Sequence, residues 1–402
     1  MRIALISQEY PPETAKGGIG TQTYAKAHGL ADRGHDMIVV SRAPAGLASD
    51  VRDGLVRVIR IPGFEERMPV HTEIADWVTY SAAAAERIAR LHEERALDLV
   101  EFPEWAAEGY VHLLNRTEWY RIPTAIHLHG PLAMFSLKMG WPNPDSEFFR
   151  TGTVLEATAV RLADAIVSSS HCSLDCVAEH YGRDPTNVPV LHTGIETEKF
   201  RPLDRPKPAN PIIVFAGKLA ANKGIFILLE AALSLVREIP DLRLRFLGRG
   251  ADHVVAQLKK RVEEAGKPDL LDLPDFVPHG ELATHLNEAY VFAAPSSYEP
   301  GPGLVNLEAM ACGLPVVTTS GSGSAEVVQN EITGLLVPPG DVGALASALH
   351  RLLSSRETRV RFGENARAYV KREASTALCL DRFEAFYRSV IDGSHGQRGP
   401  VF

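Results

Sequence analysis

The stretch RPLDRPKPANPIIVFAGKLAANKG, Arg201 to Gly224, decides the fold class. Its first eleven residues hold four prolines, each of which fixes φ and removes a backbone donor. The segment therefore predicts neither a helix nor a paired strand and reads as an interdomain linker. Directly after it comes IIVFA, Ile212 to Ala216, a short apolar run closed by a glycine. That is the pattern of a strand buried on both faces. Working outward, similar runs alternate with helical patterns in both directions. Before the linker the strand candidates are Arg2 to Ser7, Met37 to Ser41, Leu55 to Ile61, Leu97 to Phe102, Pro123 to Leu128, Ala165 to Ser168 and Val188 to Leu191. After it they are Ile212 to Ala216, Leu242 to Leu247, Phe276 to Val277, Val291 to Ala294, Pro315 to Thr318 and Leu335 to Val337. The alternation predicts an α/β protein of two doubly wound, Rossmann-like domains, with a cleft between them where the carboxyl ends of both sheets face one ligand. A long final helix is expected from about Ser375 to Ile391, followed by a glycine-rich polar tail expected to be disordered.

Composition narrows the function. A chain of 402 residues exceeds what one core supports, and two domains are expected. Apolar residues at 45% and charged residues at 23% exclude disorder, collagen and coiled coil. No run approaches the roughly 18 apolar residues of a membrane span, and MRIALISQEY turns polar too early for a signal peptide. The expectation is a cytoplasmic protein without integral membrane association. Four cysteines in this length read as reduced packing residues. A net charge of -8 argues against a nucleic-acid partner, because that affinity rests on basic surface.

Four motifs carry candidate chemistry. KGGIG, Lys16 to Gly20, precedes the helical pattern TQTYAKAHGLADRG, so its glycines allow close approach of a ligand to a helix start. A nicotinamide fingerprint fits poorly, since Thr23 stands where a third glycine belongs and SRAPAG offers no acid for a ribose. HLHG, His127 to Gly130, ends a strand. The histidines share one strand face with no third metal ligand at suitable spacing, so a packed histidine is the favoured reading of at least one. GKLAANKG, Gly217 to Gly224, places Lys218 and Lys223 where a loop leaves the sheet. They are either solvated surface lysines or a diphosphate clamp. SSYEPGPGLVNLEAMACGLPVV, Ser296 to Val317, sets Glu299 and the glycines 301 and 303 before a helix carrying Glu308. Helix-start N–H groups suit phosphate, and carboxylates accept from sugar hydroxyls, so this loop reads as built for a sugar attached to a phosphate. The sequence has neither an Asp-x-Asp pair nor a G-x-x-x-x-G-K-[ST] loop. A site without a metal must then stabilise a diphosphate with lysines and helix dipoles.

KGGIG, GKLAANKG, FLGRG, EPGPGLVNLEAMACGLPVV and TGLLVPPGD, in this order, resemble the retaining glycosyltransferases of the GT-B fold, family four. The resemblance runs from residue 1 to about residue 390. It implies an acceptor-binding domain over residues 1–205, completed by a returning helix over 375–395, and a nucleotide-sugar donor domain over 206–374, with 396–402 as the tail. It further implies that His129 sits by the transferred sugar, Lys218 and Lys223 hold the diphosphate, Glu299 binds sugar hydroxyls and Glu308 the ribose. These would be the catalytic groups His129, Lys218, Lys223 and Glu299. Gly18, Gly248, Val277, Gly301, Gly303, Leu304 and Glu308 would bind the donor. No metal and no cofactor is expected beyond the nucleotide sugar, most often UDP-linked, as co-substrate. Three departures stand out. Glu299 and Glu308 are nine apart, one more than in the family's usual Glu-x7-Glu, which leaves open whether Gly301 or Gly303 lies under the donor. Lys218 replaces an arginine, and HTGIE, His192 to Glu196, replaces Asn-Gly-Val-Asp.

The expected reaction is retaining, metal-independent transfer of a hexosyl or N-acetylhexosaminyl group to an acceptor hydroxyl. The competing readings are an epimerase or phosphorylase of the same fold, and a sugar-nucleotide binding protein without turnover. A membrane-surface enzyme acting on lipid acceptors is a further reading within the family, although the basic residues of Glu73 to Arg95 alternate with acids rather than forming a stripe.

Overall fold

A computed structural model describes the chain except residues 13, 15–17, 45–46, 63–70 and 397–402. The chain divides into two compact units, Met1–Thr193 with Cys379–Phe402, and Gly194–Leu378.

In the first unit the elements run β1 (Arg2–Ile6), α1 (Gly18–Asp32), β2 (Asp36–Arg42), β3 (Ser49–Asp53), β4 (Val56–Ile61), α2 (Glu73–Glu94), β5 (Leu99–Pro103), α3 (Tyr110–Leu114), β6 (Thr124–Leu128), α4 (Leu132–Met139), α5 (Glu147–Leu162), β7 (Ala165–Ser168) and α6 (His171–Tyr181). The seven strands among the described residues lie in the order β3-β4-β2-β1-β5-β6-β7. All pairs are parallel except β3 against β4. Strand order therefore reverses between β1 and β5, where open α/β sheets leave a crevice at their carboxyl edge. Ile3, Leu5, Met37, Val39 and Leu99 form one core with Ala27 and Leu30 of α1.

The second unit runs β8 (Ile212–Ala216), α7 (Ile225–Leu235), β9 (Arg243–Leu247), α8 (Asp252–Glu264), β10 (Leu271–Asp272), α9 (His279–Glu288), β11 (Val291–Ala294), α10 (Leu304–Ala311), β12 (Val316–Thr319), α11 (Gly323–Val327), β13 (Gly334–Val337), α12 (Val342–Ser354) and α13 (Arg356–Glu373). Its sheet is wholly parallel in the order β10-β9-β8-β11-β12-β13, with the reversal between β8 and β11. Successive strand residues face opposite sides. Ile213 and Phe215 accordingly pack with α7 and α12, whereas Ile212 and Val214 pack with Leu307 and Met310 of α10. The last helix, α14 (Thr376–Gly396), starts in this unit, and its Leu380, Phe383, Phe386, Tyr387 and Val390 lie in the core of the first.

Several expectations change. The boundary lies at Thr193–Gly194 rather than 205/206, and the return at Cys379 rather than 375. The proline-rich stretch belongs wholly to the second unit: Leu203 N donates to Asn287 Oδ1 at 2.8 Å and Tyr290 Oη to Pro208 O at 2.9 Å. Proline excludes helix and ladder but does not say which body a segment lies on. β3 was not expected, because SDVRD has no apolar alternation. It is a charged edge strand, a common way of blunting a sheet edge. Val188–Leu191 makes a single bridge, Val190 to Ser168, instead of a strand. Phe276–Val277 does not pair. Asp275, between Pro274 and Phe276, takes φ 67°, and Leu271–Asp272 pairs with β9 in its place. Of the tail expected to be disordered after Ile391, residues 392–396 instead continue α14, and 397–402 lie outside the described residues.

Candidate active site

In the second unit the loops leaving β8 and β11 are locked together by backbone. Gly224 starts α7 at φ 74°, and a Cβ there would sit 1.9 Å from the Pro295 carbonyl oxygen, so only glycine permits this approach. Ser297 N donates to Asn222 O at 2.8 Å. The β8 loop is held on its other side by Leu219 N donating to Arg249 O at 2.8 Å. Gly248, at the end of β9, donates its N–H to Asp275 O at 3.0 Å.

On this frame Lys223 Nζ stands 2.5 Å from Glu299 Oε1, which also accepts from Ser296 Oγ at 2.8 Å. The contact is charge-assisted and only partly buried, with both groups reachable from solvent. Lys218 is exposed on the same loop. Glu299 O accepts from Gly323 N at 2.8 Å, which packs the Pro300 and Gly301 backbone against the start of α11. Gly303 at φ 66° immediately precedes Leu304 and opens α10, and a Cβ there would meet Asn306 Nδ2 at 2.8 Å. Of the two glycines left open by the longer spacing, Gly303 is thus the one bordering the helix start, while Gly301 serves the loop. The first N–H groups of α7 and α10 emerge at the carboxyl edge of the sheet, where helix dipoles favour negative charge. Glu308, on α10, is buried, and its Oε1 lies 2.7 Å from His279 Nε2. Lys199 Nζ contacts the other ring nitrogen of His279 at 2.9 Å. Val277 is partly buried against the adjoining core.

The first unit finishes its carboxyl edge differently. His127 is fully buried, with Nδ1 3.2 Å from Lys26 Nζ. Lys26 is paired with Glu101, whose Oε2 accepts from Tyr387 Oη at 2.7 Å. Burial alone would raise the Glu101 carboxyl, but Lys26 and His127 outweigh it and hold it at about 2. Burial, reinforced by the Lys26 charge, lowers His127 to about 4, so its ring is neutral. His129 is partly exposed, its ring 4.1 Å from that of His127, and its Nδ1 has no hydrogen-bond partner. Burial also lowers its pKa well below the ordinary histidine value. Glu104 accepts from the backbone N–H of His129 at 2.8 Å and of Gly130 at 2.5 Å. Glu156 accepts from Tyr181 Oη at 2.6 Å and from Leu132 N at 2.9 Å. Burial raises Glu104 to about 7 and Glu156 to about 8, the latter aided by the Glu104 charge. Gly18 is the exposed first residue of α1, whereas Lys16 and Gly17 lie outside the described residues.

Lys223, Glu299, Gly303, Leu304 and Glu308 thus fall on one edge of the second sheet, with Lys218 and Gly248 on adjoining loops, while Gly18 and His129 belong to the first unit. The sequence reading missed Ser296 and His279. It also missed Lys26, Glu101, Glu104 and Glu156, although EFPEWAAEGY carries three glutamates at the end of a strand candidate.

Two family models match consecutive parts of the chain, one described as Glycosyltransferase Family 4 over residues 16–199 and one as Glycosyl transferases group 1 over residues 196–369. The chain is a family-four glycosyltransferase of the GT-B fold. The hand-over between the two matches falls beside the structural boundary at Thr193, not in the proline-rich stretch. The glycosyltransferase is 29% identical over 384 residues to a glycogen synthase of Mycobacterium tuberculosis, an alignment covering 91% of this chain and 89% of that protein. Sucrose-phosphate synthase from Thermosynechococcus elongatus superposes with a TM-score of 0.81 at 22% identity, over 98% of this chain and 99% of that one. HepE of Anabaena, solved in complex with UDP, superposes with a TM-score of 0.75 at 18% identity, over 97% and 100%. Among the described residues no helix is long and apolar enough to cross a membrane.

Proposed function

We propose that the glycosyltransferase acts in the cytoplasm with retention and without a metal, moving a hexosyl or N-acetylhexosaminyl group from a UDP-linked sugar to a hydroxyl of a glycan or small-molecule acceptor. The observation that carries this reading is the Lys223–Glu299 pair at the strand-order reversal of the second unit, flanked by exposed Lys218 and the starts of α7 and α10. An arriving diphosphate draws the Lys223 ammonium from Glu299 and turns that carboxylate to the sugar hydroxyls. Lys218, Lys223 and the first-turn N–H groups then stabilise the departing diphosphate, the main electrostatic task of the transition state. Glu308 takes the ribose. His129, kept neutral by burial, hydrogen-bonds a hydroxyl of the transferred sugar through its unpartnered Nδ1. The acceptor hydroxyl attacks from the face the diphosphate leaves, which retains the anomeric configuration. The UDP complex of HepE, a protein of the same fold, supports uridine as the nucleoside.

A thermal-shift panel of UDP, GDP, ADP and TDP sugars tests the donor, because a ligand held only by the folded state raises the melting temperature with its affinity. The UDP sugars should give the largest shift. Transfer should then proceed unchanged in EDTA, and NMR of the product should show the anomer of the donor. Loss of transfer on chelation with rescue by magnesium or manganese, or an inverted product, overturns the mechanism.

A further inference from the structure

Five aromatic rings from five segments meet at the carboxyl edge of the first unit's sheet. Trp105, directly after β5, lies 5.9 Å from Trp77 of α2, 5.4 Å edge-on from Phe135 of α4 and 6.5 Å from Trp141, with which it stacks at 28°. Phe148 of α5 closes the group, 5.2 Å from Trp77 and 5.9 Å from Trp141. The cluster grades outward, from buried Trp77 through partly exposed Trp105 and Phe148 to Trp141, which is 51% exposed. A satellite core needs no indole facing water, so the outer rings call for another explanation.

The backbone beneath Trp105 points the same way. Ala106 and Ala107 take φ 59° and 49°, left-handed conformations that cost non-glycine residues roughly 1–2 kcal/mol each. Surrounding structure holds them there: Ala106 N donates to Glu156 at 3.3 Å and Ala107 N to Glu104 O at 3.0 Å. The Glu104 side chain meanwhile anchors the His129 backbone. Trp105 and His129 are therefore fixed by one buried residue, and the ring platform is continuous with that strand end.

Charge selects the ligand class. Lys138, Asp145, Glu147 and Arg150, the charged residues flanking Trp141 in the chain, are exposed and balanced in sign, and Arg150 lies 3.9 Å from Asp145 and 3.8 Å from Glu147. Balanced charge beside Trp141 draws neither phosphate nor an anionic bilayer. Flat, electron-rich indole faces on a neutral surface suit the C–H faces of pyranose rings. Partly exposed Trp105 and half-exposed Trp141 present two rings whose centroids lie 6.5 Å apart. We infer that Trp105, Trp141 and Phe148 bind successive sugar units of a neutral oligosaccharide, so that the acceptor is a glycan chain rather than a single small molecule. This rests on the acceptor role given to a glycan above.

The test is intrinsic fluorescence of the whole enzyme, without donor, titrated with mono-, tri- and hexasaccharides of the gluco, manno and galacto series. At least one series should quench the wild type, with affinity rising with chain length. Trp141→Ala should weaken the hexasaccharide about tenfold and raise its KM as acceptor similarly, leaving donor KM and kcat near wild type. Trp141→Phe should recover most of the affinity. Because Trp141 is exposed, the melting temperature of both variants should stay at the wild-type value, and Trp105→Phe gives a second variant that keeps a ring in place. Absence of oligosaccharide binding in every series, equal binding by wild type and Trp141→Ala, or binding only to anionic phospholipid vesicles overturns the inference. Donor-sugar thermal shifts with no oligosaccharide binding leave the transferase reading standing and remove the platform. Oligosaccharide binding without any nucleotide-sugar shift does the reverse.

Discussion

In the second unit the strand ends around the reversal are joined by backbone: Gly224 pressed on Pro295, Ser297 on Asn222, Leu219 on Arg249. In the first unit the corresponding ends are joined by buried side chains: Glu104 under His129 and Gly130, Glu156 under Leu132, and Lys26 between Glu101 and His127. Apart from the antiparallel edge strand β3, both sheets have the same strand order. The difference concerns where polar groups are spent. Loops closed by backbone leave Lys218, Lys223 and Glu299 accessible to a ligand, whereas an edge floored by buried ionisable groups uses them to hold its own shape. Charged side chains should therefore matter to turnover in the second unit and to stability in the first.

The largest expected effect tests the first half of that contrast. Lys223→Ala should reduce turnover about 100-fold or more, the scale for removing one preorganised charge, with a melting temperature close to wild type. Near-normal turnover in the folded variant would break the assignment.

Next in size is a pair in the first unit. His127→Ala should cost about 2 kcal/mol or more, because it opens a cavity and removes a contact of buried Lys26. His129→Ala should keep the melting temperature and UDP affinity but lose sugar transfer. Melting curves, UDP titrations and transfer rates of both variants decide it, and the opposite pattern would exchange the two roles.

The buried carboxylates give a pH signature. Glu104 and Glu156 have folded pKa values raised to about 7 and about 8 from 4.5. The folded state thus holds these protons more tightly, and the resulting stability is complete below 4.5 and lost as pH rises through 8. Glu101, held at about 2, acts oppositely: its stabilisation is present above 4.5 and lost as pH falls towards 2. The wild-type melting temperature should therefore fall between pH 6 and 9, and Glu156→Gln should shallow that fall. An unchanged slope would mean that the Glu156 carboxylate is ionised in the folded protein.

The smallest effect concerns His279, whose ring occupies Glu308 Oε1. If ribose uses that oxygen, His279→Ala should tighten UDP binding about threefold by calorimetry, within the net worth of one hydrogen bond. Weaker binding would instead make the histidine a support for Glu308.

Much of the second unit's edge was legible in the sequence because its signals are local. Apolar runs closed by Gly217 and Pro295 mark β8 and β11, and EPGPGLVNLE contains both the loop glycines and the helix that follows them. The start of α10 at Leu304 was legible as well, whereas which of Gly301 and Gly303 lies under the donor was not, because the extra residue between Glu299 and Glu308 lets either satisfy the spacing. β3 escaped because charge on a sheet edge leaves no apolar period to read. The unit boundary escaped because proline restricts φ without choosing a neighbour.

The amino-acid order by itself determined the α/β class, the two series of parallel strands and the glycine-bearing loops that end them, all of which depend on residues within a few positions of one another. Only the tertiary structure decided that Lys26 meets Glu101 across 75 positions, that Glu104 meets His129 across 25 and that His279 covers Glu308 across 29. Burying a charge is tolerable only beside a partner, and which partner is present depends on the strand ends that the sheet order brings together.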